Sequence, residues 1–122
     1  MSIGITTHVL DTARGRPAAG VPIRLDRRTV QNGPQASLRE GTWTELGRGV
    51  TDADGRLRDL LREPLVAGEY RLTFDTETYF AAAGTEGFFR EVQIAFLVRE
   101  AASHHHVPLL LSPFGYSTYR GS

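Results

Sequence analysis

A chain of 122 residues with a formal net charge of +0 and no cysteine is expected to form one domain, spanning residues 1–122, that buries a real core without disulfides. Balanced charge leaves no electrostatic footprint for nucleic acid or an anionic membrane, and the missing thiols exclude cysteine nucleophiles and thiolate metal sites. All 14 basic residues are arginine, which removes lysine Schiff-base chemistry. No stretch approaches the ~20 apolar residues of a membrane span. Met1-Ser2-Ile3-Gly4 does not read as a signal peptide, so a cytoplasmic protein is the expectation.

In chain order, Ile3, Ile5, Thr7 and Val9 alternate with Gly4, Thr6, His8 and Leu10, a strand pattern. Asp11 to Pro17 carries turn chemistry. A second strand runs from Val21 to Leu25, with Val21, Ile23 and Leu25 on one side. Arg27 to Gly41, broken by Asn32-Gly33-Pro34, reads as a long loop or loose hairpin. Thr42 to Thr51 predicts a third strand, and Asp52-Ala53-Asp54-Gly55 a tight turn before Arg56. That acidic pair does not make a calcium loop, because neither the sixth-position glycine nor the twelfth-position glutamate falls in register. Gly68 to Asp75 alternates cleanly, with Tyr70, Leu72 and Phe74 inward. Thr76 to Ala83 reads as one short helix opened by a threonine and ended by Gly84. Glu91 to Val98 is a strand with Val92, Ile94, Phe96 and Val98 on one face. The last, His104 to Leu111, places Val107, Leu109 and Leu111 inward. His104, His106, Pro108 and Leu110 share the other face. Seven or eight short strands and one helix predict an all-β sandwich.

Two histidines therefore face away from the aliphatic core, His8 near one end of the chain and His106 near the other. Solvated surface residues are the plainest account of them. His104-x-His106 puts two imidazoles on one strand face, and with His8 they could hold zinc at an open site. Against that, carboxylates to orient the rings are not evident in the sequence. Acid–base chemistry without metal is the third account, with an arginine holding a carbonyl-rich or anionic substrate. Arg56 alone could equally be a solvated hairpin residue. A Ser-His-Asp hydrolase fits poorly, since neither Gly-x-Ser-x-Gly nor a parallel α/β pattern is present.

Three separated motifs rank these readings. His106-Val107-Pro108-Leu109-Leu110-Leu111-Ser112 through Tyr119-Arg120-Gly121-Ser122 closely resembles the 5-hydroxyisourate hydrolases, the transthyretin-related enzymes of purine catabolism. Thr7-His8-Val9-Leu10-Asp11 with Gly15-Arg16-Pro17-Ala18, and Thr51-Asp52-Ala53-Asp54-Gly55-Arg56, resemble the other two signatures of that family. The Tyr-Arg-Gly-Ser ending separates it from hormone-carrying transthyretins. Departures are a longer Arg27–Gly41 segment and His105 where the family often has tyrosine.

The resemblance implies a transthyretin-like sandwich of two four-stranded sheets with one short helix. It also implies a homotetramer, a dimer of dimers, with sites where subunits meet. The implied substrate is a small molecule, 5-hydroxyisourate, hydrolysed without metal or other cofactor. His106 is the expected base and His8 its partner or the substrate's orienter. Arg56 would bind the substrate and hold its developing charge. Tyr119 and Ser122 would close the pocket, Ser122 through its hydroxyl or a carboxylate, and His104, Arg120 and Gly121 would support these groups from behind. The opposing expectation is a transthyretin-like binding protein for a small ligand, without catalysis.

Overall fold

The computed structural model describes residues 4–29 and 41–122. The expectations for Ile3 and for the Asn32-Gly33-Pro34 breaker lie outside them. The described residues form nine strands and one helix: β1 (Ile5–Asp11), β2 (Arg16–Pro17), β3 (Pro22–Thr29), β4 (Thr42–Val50), β5 (Arg56–Leu57), β6 (Gly68–Phe74), α1 (Thr76–Ala82), β7 (Val92–Val98), β8 (His105–Ser112) and β9 (Gly115–Thr118). They form two sheets. One has the order β2-β1-β8-β9, with β5 also pairing β1; the other has the order β4-β3-β6-β7. The sandwich is the expected one, and the two-residue β5 gives the first sheet a fifth strand.

Strand alternation sets which side chains meet between the sheets. Val9, Val21, Leu25, Leu72, Phe74, Val98, Leu109 and Leu111 are fully enclosed there, joined by Leu60 from the irregular segment after β5. At about 25 cal/mol per Å2 of apolar surface removed from water, each such side chain contributes ~1.5–3 kcal/mol, and together they hold the sheets face to face.

Two local expectations are corrected, and one strand is added. β3 does not end at Leu25 but continues to Thr29, since Arg27 and Arg28 pair with β4 and a register shift at Leu25/Asp26 lets the strand run on. The helix cap is Asp75, whose carboxylate accepts from the Thr78 N–H, and not Thr76. Thr76 instead is buried and donates its hydroxyl to the Phe89 carbonyl. The polar aromatic run after Pro113 is a strand, β9, antiparallel to β8.

One pairing positions the site. β1 and β8, from opposite ends of the chain, are parallel, with Thr6 opposite His106 and His8 opposite Pro108. Thr7 Oγ1 reinforces the pair by donating to the Val107 carbonyl at 2.6 Å. Among the described residues no helix is long and apolar enough to cross a membrane.

Candidate active site

The outer face of β1 and β8 carries a cleft of about 360 Å3 lined by Thr6, Thr7, Arg56, Arg58, His104, His106 and Ser122. Each side chain arrives there for a local reason. Asp52 Oδ1 accepts from the backbone N–H of Asp54 at 2.9 Å and of Arg56 at 3.0 Å. Those bonds, the Arg56 one foremost, hold its carboxyl below the usual range. Gly55 closes the turn at φ 74, where a Cβ would lie 2.4 Å from the Val9 carbonyl oxygen. A side chain is therefore excluded twice, by backbone conformation and by space. The result is β5, which sets Arg56 directly opposite His8. The acidic turn thus does more than reverse the chain.

His8 Nε2 lies 2.9 Å from the Asp54 carbonyl oxygen. A carbonyl only accepts, so this nitrogen carries the hydrogen and a neutral His8 keeps its lone pair on Nδ1. His106 is arranged differently. Its Nδ1 is 2.8 Å from Thr6 Oγ1, and the same hydroxyl is 2.7 Å from His104 Nε2. Its Nε2 has no hydrogen-bond partner among the described residues, which leaves that atom available to a bound molecule. His106 is held below the ordinary histidine range, chiefly by burial, then by the charges of His104, Arg56 and His8. Those causes favour the neutral ring, whose free nitrogen can accept a proton.

The tail is locked onto this ring. Gly121 N–H donates to the His106 carbonyl at 2.8 Å. A Cβ on Gly121 would come within 2.5 Å of His106 Cδ2. Glycine here lets the backbone pass against the imidazole and brings Ser122 into the cleft.

Of the residues expected from sequence, Arg56, His104, His106 and Ser122 line one cleft, His8 stands beside it opposite Arg56, and Gly121 backs it. Tyr119 and Arg120 lie elsewhere within a single chain. They line a neighbouring apolar hollow of about 220 Å3 that shares His106 and is walled by Phe96 and Val107. Thr6 and Arg58 carried no functional assignment. Thr6 shares His8's strand face, which was a usable signal, but its place opposite His106 depends on a parallel register that alternation does not reveal. His104 Nε2 and His106 Nδ1 both engage the Thr6 hydroxyl. Among the described residues no three His, Cys, Asp or Glu side chains are grouped as a metal site would need.

The fold and the cleft define a transthyretin-like sandwich bearing an imidazole–guanidinium site. The match to the HIUase/Transthyretin family covers residues 5–121, and the chain belongs to that family. It is 47% identical to a 5-hydroxyisourate hydrolase of Caulobacter vibrioides over 98% of both chains. It is 40% identical to that of Salmonella typhimurium over 97% of this chain and 80% of the relative. Among solved structures, a Klebsiella pneumoniae 5-hydroxyisourate hydrolase superposes with a TM-score of 0.79 at 39% identity, covering 97% of this chain and 98% of that one. Transthyretin from Sparus aurata superposes with a TM-score of 0.82 at 33% identity, covering 96% and 95%. Backbone shape does not separate hydrolase from transthyretin, and sequence identity favours the hydrolase; the residues of the site have to decide.

Proposed function

We propose that this protein hydrolyses 5-hydroxyisourate to 2-oxo-4-hydroxy-4-carboxy-5-ureidoimidazoline, a step of urate degradation. The observation that carries the reading is His106, its Nε2 unpartnered among the described residues, in a cleft that also holds Arg56. Water adds to a ring carbonyl while His106 Nε2 takes its proton. The carbonyl oxygen becomes an oxyanion, stabilised by the Arg56 guanidinium. As the tetrahedral centre collapses the C–N bond breaks, the imidazolium returns the proton to the departing nitrogen, and the six-membered ring opens. His8, with Nε2 engaged by Asp54, orients the substrate or the water. Ser122 closes the cleft through its hydroxyl or a carboxylate, and Tyr119 contributes from the adjoining hollow.

The same reading takes the working form to be a homotetramer, a dimer of dimers. In support, β7 and β9 each pair with one strand only among the described residues and so present open edges there. Beside them Phe88 (68% exposed) packs edge-on against Phe89, and Phe89 against Tyr116. An apolar fringe on two open edges suits pairing with a second copy. Leu10 and Leu110, half-buried on the site face, suit a further interface that would wall the cleft.

The test is a coupled assay in which urate oxidase generates 5-hydroxyisourate and its absorbance decay is followed with chelator present. Faster decay with the protein supports the hydrolase. Decay at the uncatalysed rate with a folded tetramer would leave a small-ligand carrier as the better account.

A further inference from the structure

We propose that Thr6 is a positioning residue: its hydroxyl, set between His106 Nδ1 and His104 Nε2, fixes His106 in the tautomer that a base requires and passes its charge on to His104. This rests on the hydrolase reading and adds a residue and a path to it. A hydroxyl has one hydrogen and can accept besides, so between two ring nitrogens at 2.8 and 2.7 Å it donates to one and accepts from the other. If His106 is to take water's proton at Nε2, its hydrogen sits on Nδ1 and is donated to Thr6. The Thr6 hydrogen then points to His104 Nε2, which leaves the His104 hydrogen on its own Nδ1. The mirror arrangement, with His104 Nε2–H donating to Thr6 and Thr6 donating to His106 Nδ1, matches the same contacts but puts the hydrogen on His106 Nε2, so a base working at Nε2 selects the first.

The same chain can move charge. When His106 gains a proton at Nε2, its Nδ1 proton passes to Thr6 Oγ1 as the Thr6 proton passes to His104 Nε2. The hydroxyl is unchanged, His106 is again neutral, and the positive charge rests on His104. The reverse shift restores the proton as the leaving nitrogen departs. The direction is favourable because His106 is half-buried with the Arg56 and His8 charges close by, whereas His104 is exposed to water. Thr6 itself is 8% exposed, so bulk water does not compete for its hydrogen.

The deciding measurement is long-range 1H–15N correlation on histidine-labelled, ligand-free, full-length protein above pH 7. It should show His106 and His104 both protonated at Nδ1; His106 protonated at Nε2 would overturn the proposal. Because no substrate is involved, this outcome is independent of the coupled assay, in which an inactive wild type would sink the hydrolase reading by itself. In kinetics, Thr6→Val should lower kcat about 10- to 100-fold with KM within about twofold, and Thr6→Ser should recover most of it. Full kcat in Thr6→Val would overturn the positioning role. His104→Ala, which spares the Thr6–His106 bond, should lower kcat by about 3- to 10-fold; an unchanged kcat would overturn the transfer to His104.

Discussion

The two outward faces of this sandwich are built from the same materials and put them to different use. On the β4-β3-β6-β7 sheet, arginines are matched with acids. Arg24 and Arg71 hold Asp26 at 3.2 and 3.1 Å, Arg28 holds Glu69 at 2.8 Å, and Arg48 meets Glu45 through two bonds at 2.6 and 2.7 Å. Arg71 also stacks over Trp43, 4.3 Å from the ring centre. That face has the larger hollow, about 490 Å3, but its rim mixes Arg24 and Arg48 with Asp75 and Glu91. On the β1–β8 face, the cleft lining has Arg56, Arg58, His104 and His106 and no carboxylate side chain. Neither arginine is in an ion pair among the described residues. A paired guanidinium has its donors occupied, and an unpaired one beside neutral imidazoles keeps them for a substrate oxygen. Net charge over the chain is zero, yet one face is locally cationic; size of hollow would have picked the other.

The sharpest way to test that contrast is to remove the proposed base. His106→Ala should reduce kcat by about 10²–10⁴-fold with the circular dichroism spectrum and assembly state unchanged; turnover near wild type would remove His106 from the role. Next come matched arginines. Arg56→Gln should cost about 10²–10³-fold in kcat/KM, whereas Arg24→Ala, on the neutralised face, should leave kcat/KM within about twofold because Arg71 still holds Asp26. Equal losses in both would dissolve the distinction between the faces. Gly121→Ala should cost about 10²-fold in activity, since the added methyl would displace the His106 ring or the tail by a sizeable fraction of an ångström. Its thermal midpoint should scarcely move, because the tail packs no core.

A purely structural change gives the control. Tyr79 donates to Asp11 Oδ2 at 2.6 Å, tying α1 to the end of β1. Burial first, then that bond, push its hydroxyl up to about 12. Tyr79→Phe should cost about 1–2 kcal/mol of stability with kcat unaltered. The raised value means the contribution is whole below pH 10, the unfolded value, and is lost as pH rises toward 12. Denaturant titrations of both proteins at pH 8 and pH 11 should therefore converge at the higher pH.

How much of this was legible beforehand depends on what kind of regularity produced it. Alternation placed Ile5, Val9, Leu72, Phe74, Leu109 and Leu111 inside and His8 and His106 outside, because a pleated strand enforces a period of two. Arg56 was no more than a hairpin residue by that logic, and only the resemblance of its motif singled it out. The backbone shows why: its place opposite His8 comes from Asp52 and Gly55 acting across a turn. Alternation puts Thr6 on the right face but gives it no role, since its meaning lies in the register of β1 with β8, a relation between residues 100 apart in the chain. Asp75 was passed over as the helix cap because Thr76 fits the same local pattern. Relations along a strand were readable; relations between strands were not.

The smallest expected effect separates the faces most cleanly, because it needs no loss of activity. The charges of Arg56 and of His8 and His104 act on His106 in the same direction as its burial, holding it below the ordinary histidine range. A base must be neutral to work, so the acid limb of the kcat/KM profile should lie below pH 6.5, the unperturbed histidine value. The same shift bears on stability. With the folded value depressed, this contribution is whole above pH 6.5 and is lost as pH falls through the folded value, the unfolded chain binding the proton more readily. Arg56→Gln removes one of the charges opposing protonation, so the limb should move to higher pH in whatever activity remains. Arg24→Ala leaves the surroundings of His106 untouched and should leave the limb in place. A limb that stays put in Arg56→Gln would mean that the guanidinium and the imidazole, although they line one cleft, do not act on each other there.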